Sequence, residues 1–168
     1  MKPGIRLTSC LFAVLPLTAA LADGPADELL GQWYTEDDDS KVLVVKKNGK
    51  YYGRIIWLDE PLYHKDHVEA GKPKHDRKNR DKSLQWRPII GLQVLKDFKY
   101  DAGDRLWDSG TIYDPDVGKT YKCEIKFKTD PEAEGGKSLN LKGYIGIPTF
   151  GRTTVWRRVP KDDLEETD

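Results

Sequence analysis

The sequence predicts an all-β chain whose eight antiparallel strands close into an up-and-down barrel. The clearest sign is the run 120–128, in which apolar or aromatic residues alternate with charged residues after Thr120. Because successive side chains of a strand point to opposite faces, this run predicts a sheet with one dry and one wet face. Asn48-Gly49 is a strong hairpin signal, and no long segment has the periodicity of an amphipathic helix.

The strands are bounded by turn residues and are rich in β-branched and aromatic side chains. A short helical turn is predicted at 23–30, before the first strand. The predicted strands are 31–35, 41–47, 51–58, 88–95, 106–113, 120–128, 138–147 and 153–159. Short turns join most of these strands in sequence, and such a meander removes its exposed edges by closing.

The N-terminal 22 residues are predicted to be a secretory signal peptide that is removed on export. Lys2 and Arg6 form a positive start, residues 7–17 are mostly apolar, and Ala20-Leu21-Ala22 places small residues at the cleavage site. The apolar stretch is too short to span a bilayer. We therefore expect an exported protein, periplasmic or secreted, that does not span the membrane.

The rest of the chain has the length of one domain, predicted as a barrel at 23–160 followed by an acidic tail at 161–168. Lys and Arg number 28, and Asp and Glu also number 28. This balance gives no reason to expect a nucleic-acid partner. The sequence leaves the oligomeric state open.

One long charged segment, 59–85, interrupts the strand pattern. It contains Pro61, Gly71, Pro73 and all three histidines. A loop of this length is uncommon inside a compact domain and is usually functional or disordered. Two interpretations remain open: a solvated loop, or a lid or docking surface.

The two ends of the barrel sequence support closure. Gly31-Gln32-Trp33 opens the first strand, and Trp156-Arg157-Arg158 ends the last one. Here the chain resembles the lipocalin-like barrels (calycins), in which the tryptophan of a Gly-x-Trp motif plugs the closed end under an Arg or Lys of the final strand. The resemblance implies a structural plug of Gly31, Trp33 and an arginine, for which we prefer Arg157 over Arg158. The guanidinium would gain cation–π energy from the indole.

Further blocks carry a closer resemblance that covers nearly all of the chain after the signal peptide. They are Gly31-Gln32-Trp33, Arg87-Pro88-Ile89-Ile90-Gly91-Leu92, Gly110-Thr111-Ile112-Tyr113-Asp114-Pro115, Gly118-Lys119-Thr120-Tyr121, Leu141-Lys142-Gly143-Tyr144-Ile145-Gly146, Gly151-Arg152-Thr153 and Trp156-Arg157-Arg158. With these blocks the chain resembles a bacterial exported family known as domain of unknown function 2147. The resemblance implies an exported, lipocalin-like barrel with no settled biochemical activity.

An eight-stranded barrel can hold one small ligand or be filled by its own side chains. We predict a binding protein that holds a small apolar or amphipathic ligand against inward-facing residues and a polar anchor. The predicted ligand-binding residues are Tyr52, Tyr121, Cys123, Ile125, Phe127, Leu141, Arg152 and Val155. The alternative is a solid barrel whose charged loops bind another envelope protein or a glycan.

Metal binding through His64, His67 and His75 is a lesser alternative, because imidazole suits zinc, copper or nickel. The loop has no cysteine, so we predict no metal site and no cofactor. No nucleophile-elbow, metalloprotease or phosphate-loop motif is present, and we predict no enzymatic activity. Cys123 is predicted to be a small inward-facing core residue rather than a nucleophile.

Overall fold

The computed structural model describes residues 24–164. The predicted signal peptide at 1–22 and the last part of the predicted tail, 165–168, lie outside the described residues. The described chain forms a closed barrel of eight strands, in which each strand pairs antiparallel with its sequence neighbours and the first strand pairs with the last. The predicted fold class is confirmed.

The strand bounds follow the sequence prediction closely, with one exception described below. The strands are β1 Gly31–Tyr34, β2 Ser40–Lys47, β3 Lys50–Leu58, β4 Gln93–Asp101, β5 Leu106–Asp114, β6 Lys119–Thr129, β7 Lys137–Tyr144 and β8 Arg152–Arg158. Short 3-10 helices span Pro25–Leu29, Lys82–Leu84, Glu134–Gly136, Pro148–Phe150 and Lys161–Asp163. No helix among residues 24–164 has the length and hydropathy needed to cross a bilayer.

The predicted hairpin between β2 and β3 is confirmed. Asn48 and Gly49 have φ angles of 52° and 73°, the left-handed values that a tight two-residue turn requires. The barrel closes where Trp33 of β1 lies opposite Arg158 of β8 and Tyr34 lies opposite Arg157.

The predicted fourth strand is placed too early along the chain. Residues 88–92 form an isolated bridge at Pro88, which pairs with His75, followed by a bend and a turn, and β4 begins only at Gln93. Gly91 has a φ of 90°, which extended L-residues do not adopt, and Pro88 lacks an N–H for a strand ladder. The run is apolar because Leu92 is buried and Ile89 packs against the core, so its hydrophobicity reflects burial in a loop.

The connections between strands alternate between the two ends of the barrel. One end carries the turns at 48–49, 102–105 and 130–136, together with the 3-10 helix Pro25–Leu29. We call it the closed end. The other end, the open end, carries the connections at 35–39, 59–92, 115–118 and 145–151, which surround the candidate site.

Candidate ligand-binding cavity

Aromatic side chains fill the closed half of the barrel. The ring centroids of Trp33 and Trp107 lie 6.0 Å and 5.5 Å from that of Phe127. The 3-10 helix Pro25–Leu29 covers this end, because Trp33 Nε1 donates to Leu29 O at 2.9 Å and Trp107 Nε1 donates to Ala26 O at 3.1 Å. The buried indole N–H groups are therefore satisfied, and this half of the barrel is a packed core.

The plug is present, but its arginine is Arg158. The Arg158 guanidinium lies 4.1 Å from the Trp33 ring centroid and donates to the carbonyl oxygens of Leu30 and Glu28. The preferred assignment, Arg157, is wrong, because Arg157 points outward and pairs with Asp38. Alternation along β8 decides between the two residues: Arg158 shares a face with the buried Trp156, and Arg157 does not.

A cavity of about 1410 Å³ occupies the open half of the barrel. Six strands contribute aliphatic or aromatic side chains to its inner wall: Val42, Ile55, Val94, Ile112, Tyr121 and Trp156. Gly143 of β7 also lines the space, and its missing side chain leaves room beside Tyr121 and Ile112. Ligand sites in proteins commonly measure roughly 300–1,000 Å³, so this space is large enough for a small organic molecule.

The rim of the cavity is polar and charged. Glu36, Asp37 and Asp39 come from the β1–β2 turn, and Lys74, Arg77 and Lys78 come from the loop 59–92. Arg152 at the start of β8 also lies on the rim, where its Nη2 is 3.6 Å from the Glu36 carboxylate. An apolar wall below a charged rim is suited to a molecule with one apolar and one polar end.

The loop 59–92 is fixed to the barrel by a buried carboxylate. Asp76 is fully buried and accepts hydrogen bonds from Tyr113 Oη at 2.5 Å, Asn79 Nδ2 at 2.7 Å and Arg87 Nη2 at 2.9 Å. A buried charge is tolerated only when it is paired and hydrogen-bonded, as this one is. Burial, followed by the hydrogen bond to Asp76, raises the pKa of Tyr113 to about 12, so the phenol stays a donor.

A second contact holds the loop against the β5–β6 hairpin. Gly118 has a φ of 64°, and a Cβ at this position would come within 1.7 Å of the Lys78 carbonyl oxygen. Only glycine permits this approach of two backbones. The hairpin is closed by the Asp114 carboxylate, which accepts from the backbone N–H groups of Asp116 and Val117. The loop thus forms one fixed side of the cavity mouth.

The family described as "Uncharacterized protein conserved in bacteria (DUF2147)" matches residues 31–158. The chain belongs to this family. The matched range runs from the first residue of β1 to the last residue of β8 and so contains the whole barrel with its cavity.

A similar solved structure supports the same fold. It is a protein of the human pathogen Helicobacter pylori that is described as belonging to the lipocalin family. The match has a TM-score of 0.63 and 23% sequence identity, and it covers 83% of this chain and 92% of that chain. At this identity the likeness shows a lipocalin-like fold. A comparison with curated proteins found no match.

The DUF2147 barrel brings only some of the predicted ligand-binding residues to the cavity. Tyr121 and Arg152 line it. Four others belong to the packed core: Cys123, Ile125, Phe127 and Leu141. Contact of a ligand with Tyr121 and Arg152 stays a prediction.

The remaining two predicted residues lie on the outer face of the barrel, so their assignment to the interior is wrong. Tyr52 Oη donates to the Asp97 carboxylate at 3.0 Å, while its neighbour Tyr51 is buried inside. Val155 lies opposite Asn140 in the β7–β8 ladder, whereas the buried Leu141 lies opposite Thr154. Strand alternation therefore turns Thr154 inward and Val155 outward.

Several residues of the cavity wall are not among the ligand-binding residues predicted from the sequence. Ile55 and Val42 are cross-strand neighbours near a register shift in the β2–β3 pair, and Trp156 shares its face with Thr154. A signal for Trp156 was available, because the buried face of β8 includes every second residue. Register shifts hide such a signal in β2 and β3.

The three histidines lie in the loop 59–92 with different contacts, and the backbone N–H of His75 donates to Tyr63 Oη at 3.1 Å. His67 stacks on Tyr63 at 4.2 Å, and its Nδ1 accepts from the Glu69 backbone N–H. His64 Nδ1 lies 3.1 Å from the Asp66 carboxylate at the surface. Among the described residues, no group of three histidine, cysteine or carboxylate side chains is placed to hold a metal ion.

The single described cysteine lies within the core. Cys123 is buried, and burial, with a smaller contribution from Glu124, raises the pKa of its thiol to about 12. Because the thiolate is the reactive form, this environment keeps the sulfur unreactive at neutral pH.

The raised pKa of Cys123 predicts a loss of stability in alkali. The folded state holds the proton more tightly than the unfolded state, so the stabilisation is complete below the ordinary value of 9.0 and is lost as the pH rises toward about 12. The loss from this thiol approaches about 1.4 kcal/mol per pH unit. Denaturant unfolding at several pH values should show that the free energy of unfolding declines less steeply in alkali for Cys123→Ser than for the wild type. An identical decline would mean that the pKa of the Cys123 thiol is not raised in the folded protein.

Proposed function

We propose that this protein is an exported binding protein that holds a small apolar or amphipathic molecule in the open half of its barrel. The observation that carries the proposal is the cavity of about 1410 Å³ with apolar side chains from six strands on its inner wall. Burial of a ligand's apolar surface against such a wall contributes about 25 cal/mol per Å². The proposal involves no chemical step.

The position of the cavity supports binding rather than a purely structural role. Trp33, Trp107 and Phe127 fill the closed end beneath a helical cover, whereas the open half has space between its strands. Gly143 keeps a segment of the inner wall free of side-chain atoms. Both features leave space that the chain itself does not occupy.

The charged rim supports an amphipathic rather than a wholly apolar ligand. Lys78 and Arg152 present cations at the mouth, and Asp37 and Asp59 present carboxylates. A polar end of the ligand would meet these groups while the apolar end lies against Ile112 and Tyr121. Polar groups of this kind fix the orientation of a bound molecule.

The alternative of a solid barrel whose charged loops bind an envelope protein or a glycan requires a filled interior. The open half instead leaves a cavity of about 1410 Å³ between its strands and connections, which favours the ligand-binding interpretation.

Export is supported by the charged, apolar and small-residue segments that follow one another at 1–22. We propose the periplasm or the medium as the protein's location.

Filling the cavity from Gly143 is the sharpest test of the proposal. A Cβ at this position would lie 3.5 Å from Ile112 Cγ2 and 3.6 Å from Tyr121 Cβ, which are ordinary contacts. We therefore expect Gly143→Phe to fold and to place its ring in the cavity. The affinity for the apolar fluorophore N-phenyl-1-naphthylamine should fall about tenfold, because the ring would occupy the space beside Ile112 and Tyr121 that the probe would otherwise use; this loss corresponds to about 1.4 kcal/mol.

Thr153→Phe is the matched control. Thr153 is exposed on the outer face and lies opposite Lys142, next to the Gly143–Arg152 pair. The same ring is thus added on the wet side of the same strand pair, and the fluorophore affinity should not change. Equal affinity of both variants and the wild type, with both variants folded, would show that the cavity does not bind the probe and would sink the proposal.

A further inference from the structure

Exposed apolar side chains are concentrated at the open end. Nine large apolar residues are exposed among the side chains that the structure describes, and seven of them lie in open-end connections. The loop 59–92 carries Leu62, Val68, Trp86 and Ile90; the β5–β6 hairpin carries Val117; the β7–β8 connection carries Ile145 and Ile147. Val68, Trp86 and Ile145 are 88%, 70% and 76% exposed. Such a grouping marks an interaction surface.

The outer wall of the barrel is different. Along β6 the outward positions are Lys122, Glu124, Lys126 and Lys128, and among the exposed apolar residues only Val45 belongs to a strand. The apolar surface is therefore a property of three neighbouring connections and not of the whole protein. We call these seven residues the apolar rim.

Basic side chains without carboxylate partners accompany the apolar rim. Lys72, Lys74, Arg77 and Arg87 of the loop pair with Glu69, Glu60 or Asp76. Four further cations of the loop are exposed and form no ion pair with a described carboxylate: Lys65, Lys78, Arg80 and Lys82. Arg80 and Lys82 lie close in sequence to Trp86, and Lys65 lies close to Val68.

We propose that the apolar rim docks on the surface of a lipid bilayer that contains anionic headgroups. Trp86 has the amphipathic ring that is favoured at the boundary between headgroups and acyl chains. Lys65, Arg80 and Lys82 would meet the lipid phosphates, and basic side chains near an anionic leaflet each strengthen attachment. The loop 59–92 has eight Lys or Arg residues against six Asp or Glu residues, so its net charge is positive even with the exposed Asp66 and Asp81. Its exposed apolar residues and this excess of cations suit an anionic bilayer surface.

The fourth open-end connection determines how the barrel would lie on the bilayer. The β1–β2 turn, 36–39, consists of four acidic residues and contributes nothing to the apolar rim. Residues 79–87 lie instead beside Lys96, Thr111 and Lys119, on the β4–β6 side of the barrel. Repulsion by the lipid charge would keep the acidic turn in water, so the barrel would tilt with Trp86 toward the membrane.

Docking in this orientation would place the cavity mouth beside the bilayer. An amphipathic molecule could then pass between the lipid and the cavity with little exposure of its apolar part to water. This passage of a ligand between lipid and cavity rests on the proposed function. The docking itself depends only on the apolar rim and its cations.

Vesicle flotation of the protein as isolated from the cell tests the proposal. We expect binding to phosphatidylglycerol–phosphatidylethanolamine vesicles, weaker binding to phosphatidylcholine vesicles, and loss of binding at high salt. Trp86→Ser, and separately Arg80→Glu with Lys82→Glu, should each weaken partitioning about tenfold. These side chains are exposed, so the variants should melt at the wild-type temperature.

Two controls make the outcome decisive. Val45→Ser removes an exposed apolar side chain from the barrel wall and should bind vesicles like the wild type. Gly143→Phe should also bind like the wild type, which separates docking from ligand binding. Equal binding of Trp86→Ser and the wild type would overturn the proposal. So would an absence of vesicle binding together with a cross-link from position 86 to an envelope protein.

Discussion

Replacing Trp33 with alanine is expected to lower the free energy of unfolding by about 3–5 kcal/mol, which is a large part of the stability of a domain of this size. Trp33 is fully buried, contacts Phe127, and is fixed by its hydrogen bond to Leu29 O. Removing the indole leaves a void at the closed end and frees the Arg158 guanidinium from its ring. Urea unfolding of the wild type and the variant measures the difference directly.

The two arginines of β8 provide a matched pair for this plug. Arg158→Ala should cost about 2 kcal/mol, because it removes the cation–π contact and the hydrogen bonds to Leu30 O and Glu28 O. Arg157→Ala should cost less than about 1 kcal/mol, because its ion pair with Asp38 is exposed. A larger loss for Arg157→Ala than for Arg158→Ala would show that the plug is assigned to the wrong residue.

Replacing Asp76 with alanine is expected to cost about 2–4 kcal/mol, because its hydrogen-bond donors lose their buried acceptor and Arg87, whose side chain is 35% exposed, loses its ion pair. Those donors are the Tyr113 hydroxyl and the Asn79 amide. We expect the loss to appear first in the loop 59–92, whose amides should exchange faster with solvent while the strands stay protected. The amides of Asn79 and Ile89 are suitable reporters, since both are hydrogen-bonded within the loop.

Asp81→Ala is the control for this experiment. Asp81 lies in the same loop, is exposed, and its carboxylate accepts hydrogen bonds from the backbone N–H and the hydroxyl of Ser83. Loss of this short cap should cost about 1 kcal/mol and leave amide exchange elsewhere in the loop unchanged. Unchanged exchange at Asn79 and Ile89 in Asp76→Ala would mean that the buried carboxylate does not anchor the loop.

The closed barrel was predictable because its signals are local. Alternation in β6, the Asn48-Gly49 hairpin and the Asp114 turn each depend on residues close in sequence. The direction of individual side chains was less predictable. Tyr51 and Tyr52 are identical neighbours in β3. A register shift between Tyr51 and Gly53 in the β3–β4 pair interrupts the regular alternation that would show which of the two faces the interior.

The candidate site was harder to predict because much of it comes from a loop. The buried Asp76 has no sequence signature, since nearly all aspartates are solvated and its donors lie 3, 11 and 37 positions away. The apolar run at 88–92 resembled a strand because burial in a loop and burial in a strand select the same residue types. Only the three-dimensional arrangement brings this loop to the cavity mouth.

Ligand binding in the cavity is tested most directly by the intact mass of the protein isolated from the cells that make it, recorded under non-denaturing and denaturing conditions. We expect an adduct of small-molecule mass that survives the first condition and is lost on unfolding. Gly143→Phe should lack this adduct, and Thr153→Phe should retain it. The absence of an adduct from the wild-type protein, together with an affinity for N-phenyl-1-naphthylamine no higher than that of Gly143→Phe, would show that the cavity does not bind a ligand.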